Sequence, residues 1–253
     1  MGLVIQRLVQ ARCSGGGLSQ TADGGMLLSA TWGLGTSIAQ GEVVPDRYEL
    51  TREVLLRETN AGRKEHSVFC AHHHAAPITL HHEHLSEPCL DEAQVVELGH
   101  MLAKSEDVIG GAAEIEWAMD DAGFKMLQAR PLHVEPATVP DEIWLRHPGL
   151  RGHPAGIGWG TGRACVITCE CELGRVAPGD VLVTKVAGPA LAQILPRVSG
   201  VVAELGGSTS HLASLARERG IPMVLGVLEA AQHIPDGSQV AVDGVAGMVR
   251  WID

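Results

Sequence analysis

The chain has 253 residues, a hydrophobic fraction of 45% and a formal net charge of -11. Its length exceeds that of a usual single domain and its apolar content can fill more than one core, so we expect two globular domains. The negative charge, without any run of Lys or Arg to offset it, excludes nucleic acid and anionic membranes as partners. Because no apolar run reaches membrane-spanning length and the first residues do not resemble a signal peptide, the sequence predicts a cytoplasmic protein.

The composition also indicates the fold class. Aromatic residues make up only 3% of the chain, while there are 31 glycines. Cores built from small aliphatic residues and many tight turns are typical of an α/β protein. The six cysteines are scattered through a chain of this size, so we expect them to be reduced.

The first half of the chain carries helix and strand patterns in a clear order. Residues 24–44 alternate apolar stretches with Gly-rich turns, and residues 91–109 have helical apolar spacing at Val95, Leu98 and Leu102. Residues 114–134 (EIEWAMDDAGFKMLQARPLHV) indicate two strands joined by an Asp-Asp-Ala-Gly turn.

Histidines crowd one stretch between these elements. They are His72, His73, His74, His81, His82 and His84. Three imidazoles brought together by a fold could bind Zn²⁺ or Ni²⁺, but the spacing matches no defined zinc module. The favoured alternative is a solvated loop or hairpin that happens to be rich in histidine. Similarly, Cys165, Cys169 and Cys171 fit a strand and a turn better than a metal site.

The predicted boundary between the domains follows at residues 136–148, which hold three prolines and several charges. Such a composition is typical of a linker. We therefore divide the chain into a first domain at 1–135, a linker at 136–148 and a second domain at 149–253.

The second domain reads as small, β-rich and of the α/β class. Short strand patterns occur at residues 163–168, 180–186, 200–205, 222–227 and 239–244. Two helices are predicted, one at residues 189–195 and one at residues 210–219.

The most informative stretch is GVVAELGGSTSHLASLARERGIPMVLGV. Gly206 and Gly207 allow a tight turn and close approach of an anion, and Ser208 or Thr209 can cap the following helix. A histidine at that position, His211, can act as a nucleophile, with Gly207, Thr209 and Ser210 donating to a phosphate on it. Leu212, Leu215 and Ala216 would hold the helix on the sheet. On this reasoning alone, a histidine that merely follows a glycine turn explains the pattern equally well.

The run GGSTSHLASLARERGIPMVLG resembles the phosphohistidine motif of the PEP-utilising enzymes, a family that includes phosphoenolpyruvate synthase, pyruvate phosphate dikinase and rifampicin phosphotransferase. The flanking segments are similar to that family's swivelling β/β/α domain. The resemblance implies that His211 is the phosphocarrier and that the linker is a hinge between two sites.

Two further segments, ATWGLGTSIAQGEVVPDRYEL and AEIEWAMDDAGFKMLQARPLHV, resemble the C-terminal part of the same family's ATP-grasp domain. The resemblance implies that ATP and Mg²⁺ are cofactors. It makes Glu116 and Gln128 the ligands of Mg²⁺ and contacts of the nucleotide, adds Glu114 as an acidic metal ligand, and assigns Arg130 to the phosphates. Oxygen ligands and a forked guanidinium suit those tasks.

Other features depart from the family. The chain begins well inside the ATP-grasp domain, Thr36 stands where the family often has Glu, and residues 12–20 (RCSGGGLSQ) are unusually Gly-rich for an apolar strand. Three hypotheses follow. The chain is a phosphotransferase subunit whose missing ATP-grasp lobe comes from a partner chain, a phosphocarrier loaded by another enzyme, or an inactive regulatory or scaffold subunit. The first predicts transfer from ATP through His211 to a pyruvate-like or other small acceptor.

Overall fold

The computed structural model describes residues 5–71, 74–79, 86–134, 144 and 146–252. They form a six-stranded sheet in the first half of the chain, an eight-stranded sheet in the second half, and a separate two-stranded hairpin. The predicted mixed α/β class is confirmed. Nine of the 13 residues of the predicted linker at 136–148, and most of the histidine cluster between His72 and His84, lie outside the described residues.

The first sheet is antiparallel throughout, with strand order β4-β3-β2-β1-β7-β8. Its strands are β1 (Cys13–Leu18), β2 (Met26–Trp32), β3 (Asp46–Leu50), β4 (Leu56–Asn60), β7 (Ala113–Asp120) and β8 (Gly123–Pro131). The short helix α1 (Thr36–Ala39) follows β2, and the hairpin of β5 (His66–Ala71) and β6 (His74–Thr79) follows β4. The predicted hairpin at residues 114–134 is confirmed by β7 and β8.

One face of this sheet is covered by helix α2 (Glu92–Ile109). Asp91 caps it by accepting from the Gln94 backbone N–H at 2.8 Å, and the Gln94 side chain accepts from the Asp91 N–H at 3.0 Å. Gly110 ends it in the left-handed conformation. The residues predicted to face the core, Val95, Leu98 and Leu102, are buried against the sheet. Residues on the opposite face of the sheet contact the second half of the chain.

The second sheet has the order β10-β14-β13-β12-β11-β15-β16-β9, with parallel pairing from β11 to β14. Its strands are β9 (Gly149–Arg151), β10 (His153–Pro154), β11 (Trp159–Ile167), β12 (Val181–Thr184), β13 (Gly200–Ala203), β14 (Met223–Leu225), β15 (Gln239–Asp243) and β16 (Met248–Ile252). All five predicted strand patterns fall on strands of this sheet. Aliphatic clusters cover both of its faces.

Helices α3 (His211–Arg219) and α4 (Ala230–His233) accompany this sheet. The predicted helix at 189–195 is wrong in type, because the chain forms 3-10 turns at Pro189–Gln193 and Leu195–Arg197. Pro196 explains the difference: it has no N–H to continue an α-helix, and it disfavours the helical conformation of the residue before it.

The cysteines and the helices bear on two further expectations. Cys169 and Cys171 form a disulfide, contrary to the expectation of reduced thiols, whereas Cys13, Cys89 and Cys165 are free and buried. Among the described helices, none has the length and apolarity needed to cross a membrane.

Candidate functional site

The histidine predicted to carry phosphate is the first residue of α3, and it is exposed. Ser210 precedes it in an extended conformation and caps the helix, its Oγ accepting from the Ala213 N–H at 3.2 Å. The prediction that Ser208 or Thr209 would be the cap is therefore wrong. The hydroxyl of Ser208 instead donates to the Pro154 carbonyl at 2.5 Å. His211 is thus presented at the mouth of a properly capped helix.

The remainder of α3 is anchored as predicted. Leu212 and Ala216 are buried and Leu215 packs against the same core. Gly220 ends the helix with a φ of 68°. The helix is therefore fixed to its own sheet, and its N-terminal turn points to the first half of the chain.

The segment just before this helix lies on a row of residues that crosses the first sheet. Ser29 on β2 pairs with Gly16 on β1, Gly16 pairs with Glu116 on β7, and Glu116 pairs with Gln128 on β8. Directly opposed residues project from the same face of a sheet, so the two predicted metal ligands are neighbours. Both are exposed. The prediction that adjacent strands bring Glu116 and Gln128 together is confirmed.

Thr209 contacts this row directly. Its Oγ1 shares a short hydrogen bond with the Ser29 hydroxyl, and its side chain lies over Gly16. Gly207, also predicted to bind phosphate, faces Pro45, since a Cβ placed on it would be 2.6 Å from the Pro45 Cγ. Of the predicted phosphate-binding groups, Thr209 and Ser210 are next to His211, while Gly207 packs against the first half of the chain.

Glu114, predicted as a further metal ligand, forms an ion pair across the two halves. Its Oε1 accepts from Arg217 Nη2 at 2.8 Å, and its Oε2 accepts from the Ser214 hydroxyl at 3.0 Å. Arg130 Nε lies 3.4 Å from the same Oε2. The side chains of Glu114 and Arg217 are only 5% and 6% exposed. A metal role for Glu114 stays a prediction, and it requires these donors to be withdrawn.

Arg130, predicted to contact phosphate, is opposite Glu114 in the register of β7 and β8. Its side chain is 26% exposed. Because strand residues alternate between faces, Arg130 shares a face with Gln128, two residues earlier. Arg130 therefore lies on the sheet face that carries Glu116 and Gln128, with its Nε directed to Glu114.

Arg217 and Ser214 were not assigned a role from the sequence. A signal was present, since Ser210, Ser214 and Arg217 are spaced to share one face of the helix, the face that packs inward. Arg217 also donates to the carbonyls of Ser208 at 2.7 Å and Ala155 at 3.1 Å. A buried arginine on an inward face indicates a buried acid as its partner, but the sequence does not identify Glu114 as that acid.

A cleft of about 820 Å³ lies between the two halves, lined among others by Arg47, Glu49, His153 and Arg217. Glu116, Gln128 and His211 are not among its lining residues. The cleft is therefore separate from the predicted phosphoryl-transfer residues.

His153 lies where the halves meet, and burial, with Arg47 and Arg63 nearby, lowers its pKa to about 4. An unfolded chain binds a proton at this histidine below its ordinary pKa of 6.5, whereas the folded chain does not until about pH 4. The stability that depends on neutral His153 is therefore present above pH 6.5 and is lost as the pH falls to about 4.

We expect the wild type to lose about 2 to 3 kcal/mol more free energy of unfolding than His153→Gln between neutral pH and about pH 4. Urea unfolding at several pH values measures this difference. His233→Gln, at an exposed histidine, is the control and should follow the wild type. Identical pH dependence in wild type and His153→Gln would contradict the expectation.

Within the described part of the chain, no group of three or more His, Cys, Asp or Glu side chains is arranged to hold a metal ion. The His72 to His84 cluster falls on residues whose side chains are outside that description. The metal hypothesis for this cluster stays untested.

Comparison with known proteins identifies the family. Residues 1–144 match the model of the pyruvate phosphate dikinase AMP/ATP-binding domain, and residues 176–247 match the mobile domain of PEP-utilising enzymes. The chain therefore belongs to the PEP-utilising enzyme family, as its motifs predicted.

Curated relatives agree. Phosphoenolpyruvate synthase of Pyrococcus furiosus is 32% identical over 98% of this chain and 33% of its own length. The phosphoenolpyruvate synthase of Escherichia coli is 30% identical over 98% of this chain and 34% of its own length. The chain thus spans about a third of the length of the curated relatives it matches.

Proposed function

We propose that this chain is part of a phosphotransferase in which His211 accepts a phosphoryl group from ATP and passes it to a small acceptor of the pyruvate type. The observation that carries the proposal is the position of Thr209, in the segment just before α3. Thr209 lies on Gly16, and Gly16 is paired with Glu116, the predicted Mg²⁺ ligand. This contact supports the proposal that His211, two residues after Thr209, works at the face of the first sheet that carries Glu116 and Gln128.

The residues on that face suit Mg²⁺ and nucleotide phosphates. Glu116 and Gln128 are exposed, directly paired and supply the hard oxygen ligands that Mg²⁺ prefers. Bound there, Mg²⁺ would offset the negative charge of the phosphates. Arg130, on the same face, would donate to the phosphate oxygens with its Nη groups. Thr209 and Ser210, which immediately precede α3, are proposed as further donors, Thr209 once its hydroxyl leaves Ser29.

The chemistry assigned to His211 is a nucleophilic displacement. A ring nitrogen donates its lone pair to phosphorus, the bond from phosphorus to the departing nucleotide oxygen breaks, and that oxygen keeps the electron pair. The new phosphate on the imidazole is adjacent to the helix N-terminus, where backbone N–H groups favour negative charge. The hydroxyl of Ser210 accepts from Ala213 and keeps its own hydrogen available to donate.

The curated relatives are about three times longer than this chain. We propose that a further segment, on a partner chain or in a longer form of this chain, covers the nucleotide. The linker at 136–148 is proposed to let the second domain leave the first for the acceptor. Release would require the Glu114–Arg217 pair to break.

Glu116→Ala is expected to weaken Mg²⁺-dependent ATP binding about tenfold, because it removes a charged oxygen ligand. Titration calorimetry with and without Mg²⁺ measures the effect. Glu58→Ala, at an exposed glutamate on the edge strand β4, should bind as the wild type does. Unchanged affinity of Glu116→Ala, or ATP binding that ignores Mg²⁺, would contradict the proposed site.

A further inference from the structure

Strand β1 contains three consecutive glycines, Gly15, Gly16 and Gly17, whose α-carbons lie close to different parts of the protein. A Cβ placed on Gly15 or Gly17 would meet atoms of the first sheet and its core, such as Ser29 and Ile115. A Cβ placed on Gly16 would meet Thr209 instead, at 2.5 Å from its Cβ and 2.9 Å from its Cγ2. The three nearest atoms to that Cβ all belong to Thr209, which lies in the other half of the chain.

We propose that Gly16 is a positioning residue, whose missing side chain lets Thr209 contact the first sheet and so holds the His211 helix in register with the Glu116–Gln128 pair. The proposal deepens the proposed function and rests on it for the meaning of that register. The contact itself is a property of the structure and can be tested without nucleotide.

Other contacts define the same docked arrangement. The Gly206 N–H donates to the Val43 carbonyl at 2.9 Å, and Arg63 Nη2 donates to the Glu204 carbonyl at 3.1 Å. The Thr209 hydroxyl shares its hydrogen bond with Ser29, the direct partner of Gly16 on β2. Backbone groups of the segment before α3 are thus hydrogen-bonded to the first half. These bonds require the two halves to be in direct contact.

The geometry makes Gly16→Ala a selective substitution. Gly16 has an ordinary negative or extended φ, so alanine is compatible with its backbone. The added methyl group would lie closer to Thr209 than real Cβ atoms approach their neighbours, and both contacts involve rigid backbone-proximal atoms. A clash of this kind shifts the docking equilibrium about tenfold or more. The fold of each half should be unaffected.

Amide hydrogen exchange measured by NMR on the full chain provides the test. The Gly206 amide reports docking, because its acceptor is in the other half. The Val201 amide donates to the Pro222 carbonyl within the second domain and reports the fold of that domain. In Gly16→Ala we expect exchange at Gly206 to accelerate about tenfold while exchange at Val201 stays unchanged.

Two further variants, a control and a double substitution, show whether the effect is specific to the contact between Gly16 and Thr209. Gly111→Ala, where no atom of the described chain lies within 4 Å of the added Cβ, should exchange as the wild type does. Adding Thr209→Gly to Gly16→Ala removes the clashing side chain and should restore most of the protection at Gly206. Unchanged exchange at Gly206 in Gly16→Ala, equal acceleration at Val201, or failure of Thr209→Gly to restore protection would each overturn the proposal. Failure of His211 to accept phosphate would overturn the proposed function and leave this result standing.

Discussion

Asp46→Ala should lower the free energy of unfolding by about 3 to 5 kcal/mol, because it leaves the ammonium of Lys64 buried without its counter-charge. Both side chains are completely buried and in direct contact. Asp46 Oδ1 also accepts from the Gly62 N–H at 2.7 Å, and its Oδ2 accepts from the Cys89 N–H at 2.8 Å. Among the described residues, Lys64 keeps the Glu87 carbonyl, at 3.0 Å, as its partner once the carboxylate is removed.

Urea unfolding measures that loss, and the chain offers a matched control. Asp121 also pairs with a basic side chain, Arg12, but at 3.8 Å and with 95% of its own side chain exposed. Asp121→Ala should change stability by about 0.5 kcal/mol or less. If Asp46→Ala also cost less than about 1 kcal/mol, the buried pair would not be the structural element described here.

Glu114→Ala is the second substitution with a large expected effect, a loss of about 3 kcal/mol from the docked form. It removes the carboxylate that binds Arg217 and Ser214, so within the described part of the chain the buried guanidinium keeps two backbone carbonyls as partners. The cost is limited by undocking, since separation of the halves would expose Arg217 to water. We therefore expect both lower stability and faster exchange of the interdomain amide of Gly206.

Glu116 is a close control for Glu114. It is the same residue type on the same strand and face, two positions along, yet exposed. Glu116→Ala should leave stability within about 0.5 kcal/mol of wild type while weakening Mg²⁺-dependent ATP binding. Glu114→Met combined with Arg217→Met should recover much of the lost stability, because it removes both buried charges. Equal losses for Glu114→Ala and Glu116→Ala would contradict the assigned contacts.

Local chemistry made much of the fold predictable. Helix α2 begins at Asp91 and ends at Gly110, where a capping box and a left-handed glycine act within a few residues of the chain. The β7–β8 hairpin turns at Gly123, which has a φ of 103°. Helix α3 ends at Gly220 for the same reason. In each case the determining interactions are close in sequence.

The predictions of the helix cap at 208–210 and of the helix at 189–195 were wrong because several local signals compete in each segment. Three consecutive polar residues, Ser208, Thr209 and Ser210, can all cap a helix, and only the third does. Tertiary contacts decide which residue caps the helix. The Ser208 hydroxyl donates to the Pro154 carbonyl, and the Thr209 hydroxyl shares a hydrogen bond with Ser29. At 189–195 the apolar spacing favoured an α-helix, but Pro196 limited the segment to 3-10 turns.

The residues of the candidate site were chosen by motif, whereas the contacts between the two halves could not be predicted from the sequence. His211, Glu116, Gln128 and Arg130 belong to recognisable segments, and pairing across one hairpin could be inferred. The Glu114–Arg217 pair joins residues 103 positions apart, and no periodicity relates them. Gly16 looked like a departure from an apolar strand, and its contact with Thr209 becomes apparent only when the two halves are docked.

Direct detection of phosphate on His211 tests the central claim. The protein is incubated with Mg²⁺ and ATP labelled at the β or the γ phosphate, alone and with any partner that supplies the rest of the nucleotide site. We predict label that is acid-labile and alkali-stable in the wild type and in His233→Ala, and its complete loss in His211→Ala. Label that persists in His211→Ala, or no label in the wild type under any of these conditions, would contradict the claim that His211 accepts phosphate from ATP.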